Sequence, residues 1–497
     1  MRLEELIKGM TVLGLRGAAD AEVSELVYDA RRATPGSCFF AIRGTRHDGN
    51  DFVEAAMNRG ASVVVSERPV GRDLDVINVV VHDSRAAMGH MASRLYGEPS
   101  GELTVVGITG TNGKTTTAYM IESILRSAGR EPGVLGTVEY RFGGMSEKAP
   151  HTTPFSLDLQ RLLRRMRESG CDSCAMEVSS HALEQSRVAG CRFDAGVFTN
   201  LSPEHLDYHD GMESYFSAKS ILFDRVLAES AKPEAFAVIN ADDDYGLRMA
   251  SRCAVPAMLY GFSDKADVRG EALSLNQSGI AMRIKMRERA FDVCSKLCGS
   301  FNAMNALAAT AVALGLGVKS KDIVSGLGAL RCVPGRFEAV PNDRGVLALV
   351  DYAHTPDALR NALAHARELL AESGGRLLAV FGCGGDRDRA KRPLMGSVAA
   401  ELADVVLVTS DNPRTEDPAR IIEEILPGVT GRACPFDGDM GYEVVSDRRQ
   451  AIHRGVELAR PGDVLVVAGK GHEDYQILGD ERIRFDDREE LAGALRV

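Results

Sequence analysis

The stretch Thr109-Gly110-Thr111-Asn112-Gly113-Lys114-Thr115-Thr116-Thr117 has the composition of a phosphate-binding loop. The apolar run LTVVGI precedes it, and the helical pattern TAYMIESILRSAG follows. In that setting glycines let backbone N–H groups close on phosphate oxygens, and the helix N-terminus adds its positive end. Gly110, Thr111, Asn112, Gly113 and Thr116 are expected to form the cradle. Lys114 would neutralise the outer phosphates and the Thr115 hydroxyl would ligate Mg²⁺. The strict GxxxxGK[ST] spacing is not met, because Ile108 stands where the first glycine belongs and glycines fall at Gly107 and Gly110 instead.

Two more polar clusters sit at the ends of apolar runs, EVSSHAL from Glu177 and NLSPEHLDYH from Asn200. Taken singly, a histidine in such a loop reads as a hydrogen-bonded scaffold residue. Taken together, Glu177 and His205 on the sheet edge that carries the phosphate loop could hold a second metal ion. Lys219, in SYFSAKSILF, fits a solvated helix face as well as a site. SDNPRTEDP (410–418) has the turn formers Asn-Pro and Asp-Pro, yet it displays Arg414 at its tip, where packing needs no arginine.

These clusters need elements to hold them. LTVVGI, CAMEV, AGVFTN and AFAVIN, and later VLALVDY, RLLAVFG, DVVLVTS and DVLVVAG, are short apolar runs separated by helical patterns. That alternation predicts an α/β fold with mostly parallel sheets, in which ligands bind outside the carboxyl ends of the strands. The first hundred residues, with SCFFAI and ASVVVSE, predict a small α/β domain; LYGEPSGEL reads as a linker and CVPGRFE as a second boundary. The expected division is 1–100, 101–332 and 333–497, which suits a chain of 497 residues.

The charge balance of 59 basic against 70 acidic residues, net −11, argues against a nucleic-acid backbone binder. The start MRLEELIKGM lacks the character of a signal peptide, and no apolar run is long enough for a membrane span. A cytoplasmic monomer is expected. The ten cysteines read as reduced thiols, and the Cys171/Cys174 and Cys294/Cys298 pairs have irregular spacing for zinc.

GTNGKTTT, HTTP (151–154), EVSSHAL, NLSPEHLDYH, YFSAKSILF, GSFNAMNALAA, PGRFE, DYAHTPDAL, GCGGDRDRAKRPLM, SDNPR and AGKGHEDYQ occur in the order of the Mur ligases. The chain resembles that family over essentially its whole length, most weakly in the first hundred residues and around 245–290. The resemblance implies a UDP-sugar-binding N-terminal domain, a central P-loop ATPase-like domain and a C-terminal Rossmann-like domain that binds an amino acid. It implies that Ala30, Thr152, Thr153, Ser179, Gln185 and Arg187 meet UDP-MurNAc-L-Ala-D-Glu. Asn302, Arg336, Asp351 and His354 would join the loop in holding ATP, and Thr115, Glu177 and His205 would serve Mg²⁺. Lys219 resembles the family's carbamylated lysine, itself a metal ligand, so that Lys114, Lys219 and His205 form the implied catalytic set. Two departures stand out. Ala30 replaces a family serine, and Glu204 replaces an aspartate just before His205.

In the family, DNPR goes with meso-diaminopimelate. Arg387 and Arg414 would clamp its far carboxylate and Glu473 its far amine, with Asp411, Asn412, Pro413 and the Gly469 backbone completing the pocket. The implied reaction is an ADP-forming amide ligation through an acyl phosphate, in peptidoglycan synthesis. A lysine-adding relative is the near rival. A P-loop regulatory ATPase is the distant one, and it leaves the GCGGDRDR, DNPR and GKGHED loops without a purpose.

Overall fold

The structure, a computed structural model, describes the chain except residues 45–46, 72, 206–207, 277, 371–373 and 497. Leu206 and Asp207 of NLSPEHLDYH therefore lie outside the described residues. Among those described, the strands form three sheets and one small ribbon, Tyr475–Leu478 with Glu481–Arg484.

The central sheet has eleven strands. Its parallel heart runs Ala257–Gly261, Phe236–Asn240, Ala195–Phe198, Thr104–Thr109, Ser173–Glu177 and Pro132–Leu135, in that spatial order. Antiparallel strands extend both edges. The apolar runs form strands here because both faces are covered. Val106 and Ile108 pack toward the helices Lys114–Ser127 and Ser300–Gly315, while Leu103 and Val105 pack into the opposite layer with Ser156–Glu168. Register then sets the site: Glu177 pairs with Ile108 and Phe198 with Thr109, so three neighbouring strands end at one level.

The C-terminal sheet runs Glu338–Val340, Leu347–Asp351, Val464–Ala468, Leu377–Phe381, Val405–Val408 and Gly441–Val444, parallel except for its first strand. Leu349, Ala379, Val406 and Val466 face one helical layer, and Val350, Val380, Leu407 and Val467 face the other. DYAH, GKGHED, GCGGDRDR and SDNPR thus leave four adjacent strand ends.

The N-terminal sheet has five strands, ordered Val12–Arg16, Ile77–Val81, Val63–Ser66, Cys38–Phe40 and Leu26–Val27. It meets the central part through the helix Ser84–Leu95, whose Gly89 lies so close to Ala189 that a side chain there would collide with the Ala189 carbonyl. LYGEPSGEL is not the open linker that its composition suggests. Pro99–Glu102 is a short helix with Pro99 and Ser100 buried, and Ser100 Oγ accepts from the Arg192 N–H at 3.0 Å. Cys171 and Cys174 sit inside the central core, and all ten cysteines are free. No described helix is long and apolar enough to cross a membrane.

Candidate active site

A cavity of about 580 Å³ opens between the central and C-terminal sheets. The loop after Thr104–Thr109 forms its floor. Gly110 (φ +146°) and Gly113 (φ +86°) adopt backbone shapes that suit glycine, and a Cβ on Gly110 would collide with Thr199 Oγ1. Asn200, at the end of the neighbouring strand, accepts from Asn112 N–H at 2.9 Å and donates to Asn112 O at 3.2 Å. Lys114 Nζ donates to the carbonyls of Gly110 (3.0 Å) and Thr111 (2.7 Å), so the loop is closed on its own lysine.

Lys219 is buried, not solvated, at 1% exposure. Its Nζ donates to the same Gly110 carbonyl at 2.9 Å and lies 4.4 Å from the centre of the Tyr215 ring. Burial, and then the Lys114 charge beside it, push its pKa well below the usual lysine range. Burial also lowers that of Lys114.

Glu177 is held by a ring of hydroxyls. Thr115 Oγ1 donates to its Oε1 at 2.8 Å; the Thr137 backbone N–H donates to Oε1 at 2.8 Å and the Thr137 hydroxyl to Oε2 at 3.0 Å. Thr137 in turn bonds Thr152 at 3.1 Å, while Thr153 donates to the Glu177 carbonyl and accepts from Ser179 N–H. Thr115, Glu177, Thr152, Ser179, His205, Lys219, Arg336, Asp351 and His354 all line the cavity. His205 has a left-handed backbone (φ +57°), its ring 5.0 Å from that of His181.

Asn302 does not line it. It donates to Cys298 O and accepts from Asn305 Nδ2, and Asn305, one helical turn on, faces the cavity instead. Gln185 and Arg187 lie behind Ser179, with Arg187 donating to Thr153 O at 3.0 Å and stacked on Phe155. Ala30 is buried in the N-terminal domain, away from the cavity lining. Two residues earlier, however, Tyr28 bonds Asp158 at 2.7 Å and packs on Phe155, which joins that domain to the HTTP segment.

On the C-terminal wall, the partly buried Asp351 accepts from Phe337 N–H and Ala353 N–H at 2.7 and 2.8 Å, and desolvation raises its pKa. His354 Nδ1 donates to the Tyr352 carbonyl at 2.8 Å, and burial lowers its pKa. Arg336 lies over the Tyr352 ring. Phe301, Phe337 and His365 make an aromatic end to the cavity, with ring centres 5.3 and 4.5 Å from that of Phe301.

The residues expected to bind an amino acid form a second cluster behind Tyr352. A Cβ on Gly384 would press on the Arg414 guanidinium, while the exposed Arg387 passes the same point only with its aliphatic stem and donates to Asp386 O at 3.0 Å. Arg414 (φ +52°) donates to Gly385 O at 2.7 Å, and its backbone pairs with Ile477 and Gly479. Asn412 Nδ2 donates to Glu473 Oε2 at 2.8 Å. Gly469 (φ +121°) leaves room for Asp411, whose Oδ2 would meet a Cβ there, and Gly385 lies against Pro413. Lys470, fully buried among them, was not expected from sequence, nor were Thr137, Asn200 and Asn305. Thr137, Asn200 and Lys470 carried the same signal, each a polar residue two positions past a strand end.

Three family models match: "Mur ligase family, catalytic domain" over residues 22–96, "Mur ligase middle domain" over 108–313 and "Mur ligase, glutamate ligase domain" over 335–471. The UDP-N-acetylmuramoyl-L-alanyl-D-glutamate–2,6-diaminopimelate ligase of Geobacter metallireducens is 47% identical over 507 residues, covering 100% of this chain and 98% of that one. Its namesake from Geobacillus thermodenitrificans is 43% identical, with 100% and 99% covered. A solved structure of a ligase of that name is 34% identical with a TM-score of 0.72, covering 100% of this chain and 99% of its own. The MurF ligase of Thermotoga maritima in complex with ADP shares the fold at 20% identity and a TM-score of 0.59, over 90% and 94% of the two chains. Matched end to end by such relatives, the chain belongs to the Mur ligase family.

Proposed function

We propose that the chain is an ATP-dependent amide ligase that adds meso-2,6-diaminopimelate to UDP-MurNAc-L-Ala-D-Glu, giving the UDP-MurNAc-tripeptide, ADP and phosphate for peptidoglycan synthesis. The observation that carries this reading is the placing of Arg414 against the Gly384–Gly385 turn, beside the Asn412–Glu473 pair and next to a cavity floored by a P-loop, with the exposed Arg387 on the same loop. The names of the relatives agree with it. In this reading the domains divide near residues 100 and 332. The first meets the uridine end of the substrate, the second holds ATP and the third holds the amino acid.

ATP would lie with its base toward Phe301, Phe337 and His365 and its phosphates on residues 110–116, with Asn305, Arg336, Asp351 and His354 around it. Lys114 would leave the carbonyls of Gly110 and Thr111 for the phosphates. Thr152, Thr153, Ser179, Gln185 and Arg187 would bring the D-glutamyl γ-carboxylate to the γ-phosphorus. Its oxygen forms the new P–O bond as ADP leaves. The amine of diaminopimelate then attacks the acyl carbonyl, phosphate departs and the nitrogen releases a proton.

The hydroxyl of Thr115 and the carboxylate of Glu177, already within one hydrogen-bonded group, are the oxygen donors that suit Mg²⁺, with His205 and Lys219 beside them. Bound there, Mg²⁺ supplies charge neutralisation for the triphosphate. Lys219 would contribute as a carbamate: its neutral amine forms an N–C bond to CO₂ and releases one proton. The burial that disfavours its ammonium form supports this step.

The far end of diaminopimelate would place its carboxylate between Arg387 and Arg414 and its amine at Glu473. Lysine lacks that carboxylate and would leave both arginines unpaired. ADP release with each substrate omitted in turn tests the reading. All three substrates are expected to be required, with one UDP-tripeptide, identified by mass, formed per ADP. ATP hydrolysis that needs neither co-substrate would instead support a regulatory ATPase.

A further inference from the structure

We propose that Lys470 is a positioning residue of the amino-acid pocket, fixing the Asn412 amide and the Glu473 carboxylate from beneath without touching the amino acid. The inference rests on the reading of this pocket as the diaminopimelate site.

The Lys470 side chain has no exposed surface. Its Nζ lies 3.1 Å from Asn412 Oδ1, 3.2 Å from Glu473 Oε2 and 3.7 Å from Asp411 Oδ1, with the Tyr475 ring centre at 5.3 Å. Three of these four neighbours are pocket residues. The backbone is built for this placement, because Gly469 (φ +121°) and Gly471 (φ +53°) flank the lysine, and a Cβ on Gly471 would clash with Tyr352.

The amide of Asn412 has two faces that differ only in what they accept or donate. Its Oδ1 receives Lys470 Nζ and the backbone N–H of Ile477, at 3.0 Å, and neither of these groups can accept a hydrogen bond. The amide is therefore locked with Nδ2 toward Glu473 Oε2. Glu473 Oε2 thus takes two donors, while Oε1 is engaged by neither of them. Without the ammonium, the Ile477 N–H and Glu473 would still hold the Asn412 amide, but Asp411 and Glu473 would lose the cation between them and keep only the more distant buried Arg448. A lysine that served only as a structural countercharge would, when lost, affect every substrate alike.

Steady-state KM values for all three substrates, measured on wild type, Lys470→Met and Lys470→Arg, separate the two roles. Lys470→Met is expected to raise the KM for meso-diaminopimelate about tenfold or more while moving those for ATP and the UDP-dipeptide by less than about twofold. Lys470→Arg, which keeps the charge, is expected to recover part of that loss. A wild-type crystal structure with meso-diaminopimelate bound decides the matter even if Lys470→Met does not fold. Nζ should remain on Asn412 Oδ1 and Glu473 Oε2, and a Lys470 that contacts the ligand, or a reversed Asn412 amide, overturns the inference. Unchanged KM for meso-diaminopimelate in Lys470→Met, or an equal rise in all three, overturns it while the pocket reading stands. A wild type that does not use meso-diaminopimelate overturns both.

Discussion

Lys114 and Lys219 converge on one carbonyl, that of Gly110, at 3.0 and 2.9 Å. Burial first, and then the repulsion between two ammonium groups around one acceptor, push Lys219 toward its neutral form. With Lys219 acting as a carbamate, Lys219→Ala should lower kcat by about a hundredfold or more, and added formate or acetate should restore part of it. No rescue, together with full nucleotide binding, would count against the carbamate. Lys114→Ala should abolish ATP-dependent ligation without unfolding the protein, checked by activity and a thermal melt. Lys219 was placed by its motif, but its burial was not legible, because a lysine in an amphipathic-looking helix ordinarily faces water. Asn302 shows the complementary difficulty. It and Asn305 lie one turn apart, and only packing decides which of them faces the cavity.

The strands were the most legible elements, since a strand buried on both faces must read as an unbroken apolar run. Their ends could therefore be placed from residues such as Thr109, Glu177 and Ser410. What supports those ends could not. Arg448 and Asp487 form an ion pair with no exposed surface, and the guanidinium also donates to Ser410 O and Ala468 O, where SDNPR and GKGHED begin. In sequence they look like ordinary surface charges. Asp487→Asn should cost about 3–5 kcal/mol, because it leaves a buried guanidinium without its counter-ion. Chemical denaturation measures this, and a change below about 1 kcal/mol would show that the pair is dispensable. Gly110→Ala should abolish nucleotide binding while the C-terminal pocket keeps its structure, because the added Cβ collides with Thr199.

At the scale of the whole molecule, three sheets share one catalytic task, and the segments that join them are the least readable part. LYGEPSGEL has the polar, turn-rich composition of a linker, yet it folds into the interface through Ser100. Tyr28 and Asp158 connect the first domain to the second, and Lys148 and Asp474 connect the second to the third at 2.6 Å. His472 lies at the junction of the C-terminal loops, its ring 5.0 Å from that of Tyr352. Burial, then Arg336, Arg488 and Lys148, push its pKa down from 6.5 to about 3. The unfolded chain therefore binds a proton that the native histidine refuses. This contribution is complete above about pH 6.5 and is lost as pH falls toward 3, at about 1.4 kcal/mol per pH unit. His472→Gln should flatten the fall in melting temperature between pH 6.5 and 4.5, and an unchanged profile would contradict it.

The proposed choice of an amino acid by its far carboxylate in the third domain meets its sharpest test in kcat/KM for meso-diaminopimelate against L-lysine, with wild type and Arg414→Ala side by side. The expected ratio favours meso-diaminopimelate by about a hundredfold or more in the wild type and falls by about tenfold or more in the variant, with ATP binding retained. A wild-type enzyme that uses L-lysine equally well, or a ratio indifferent to Arg414, would contradict it.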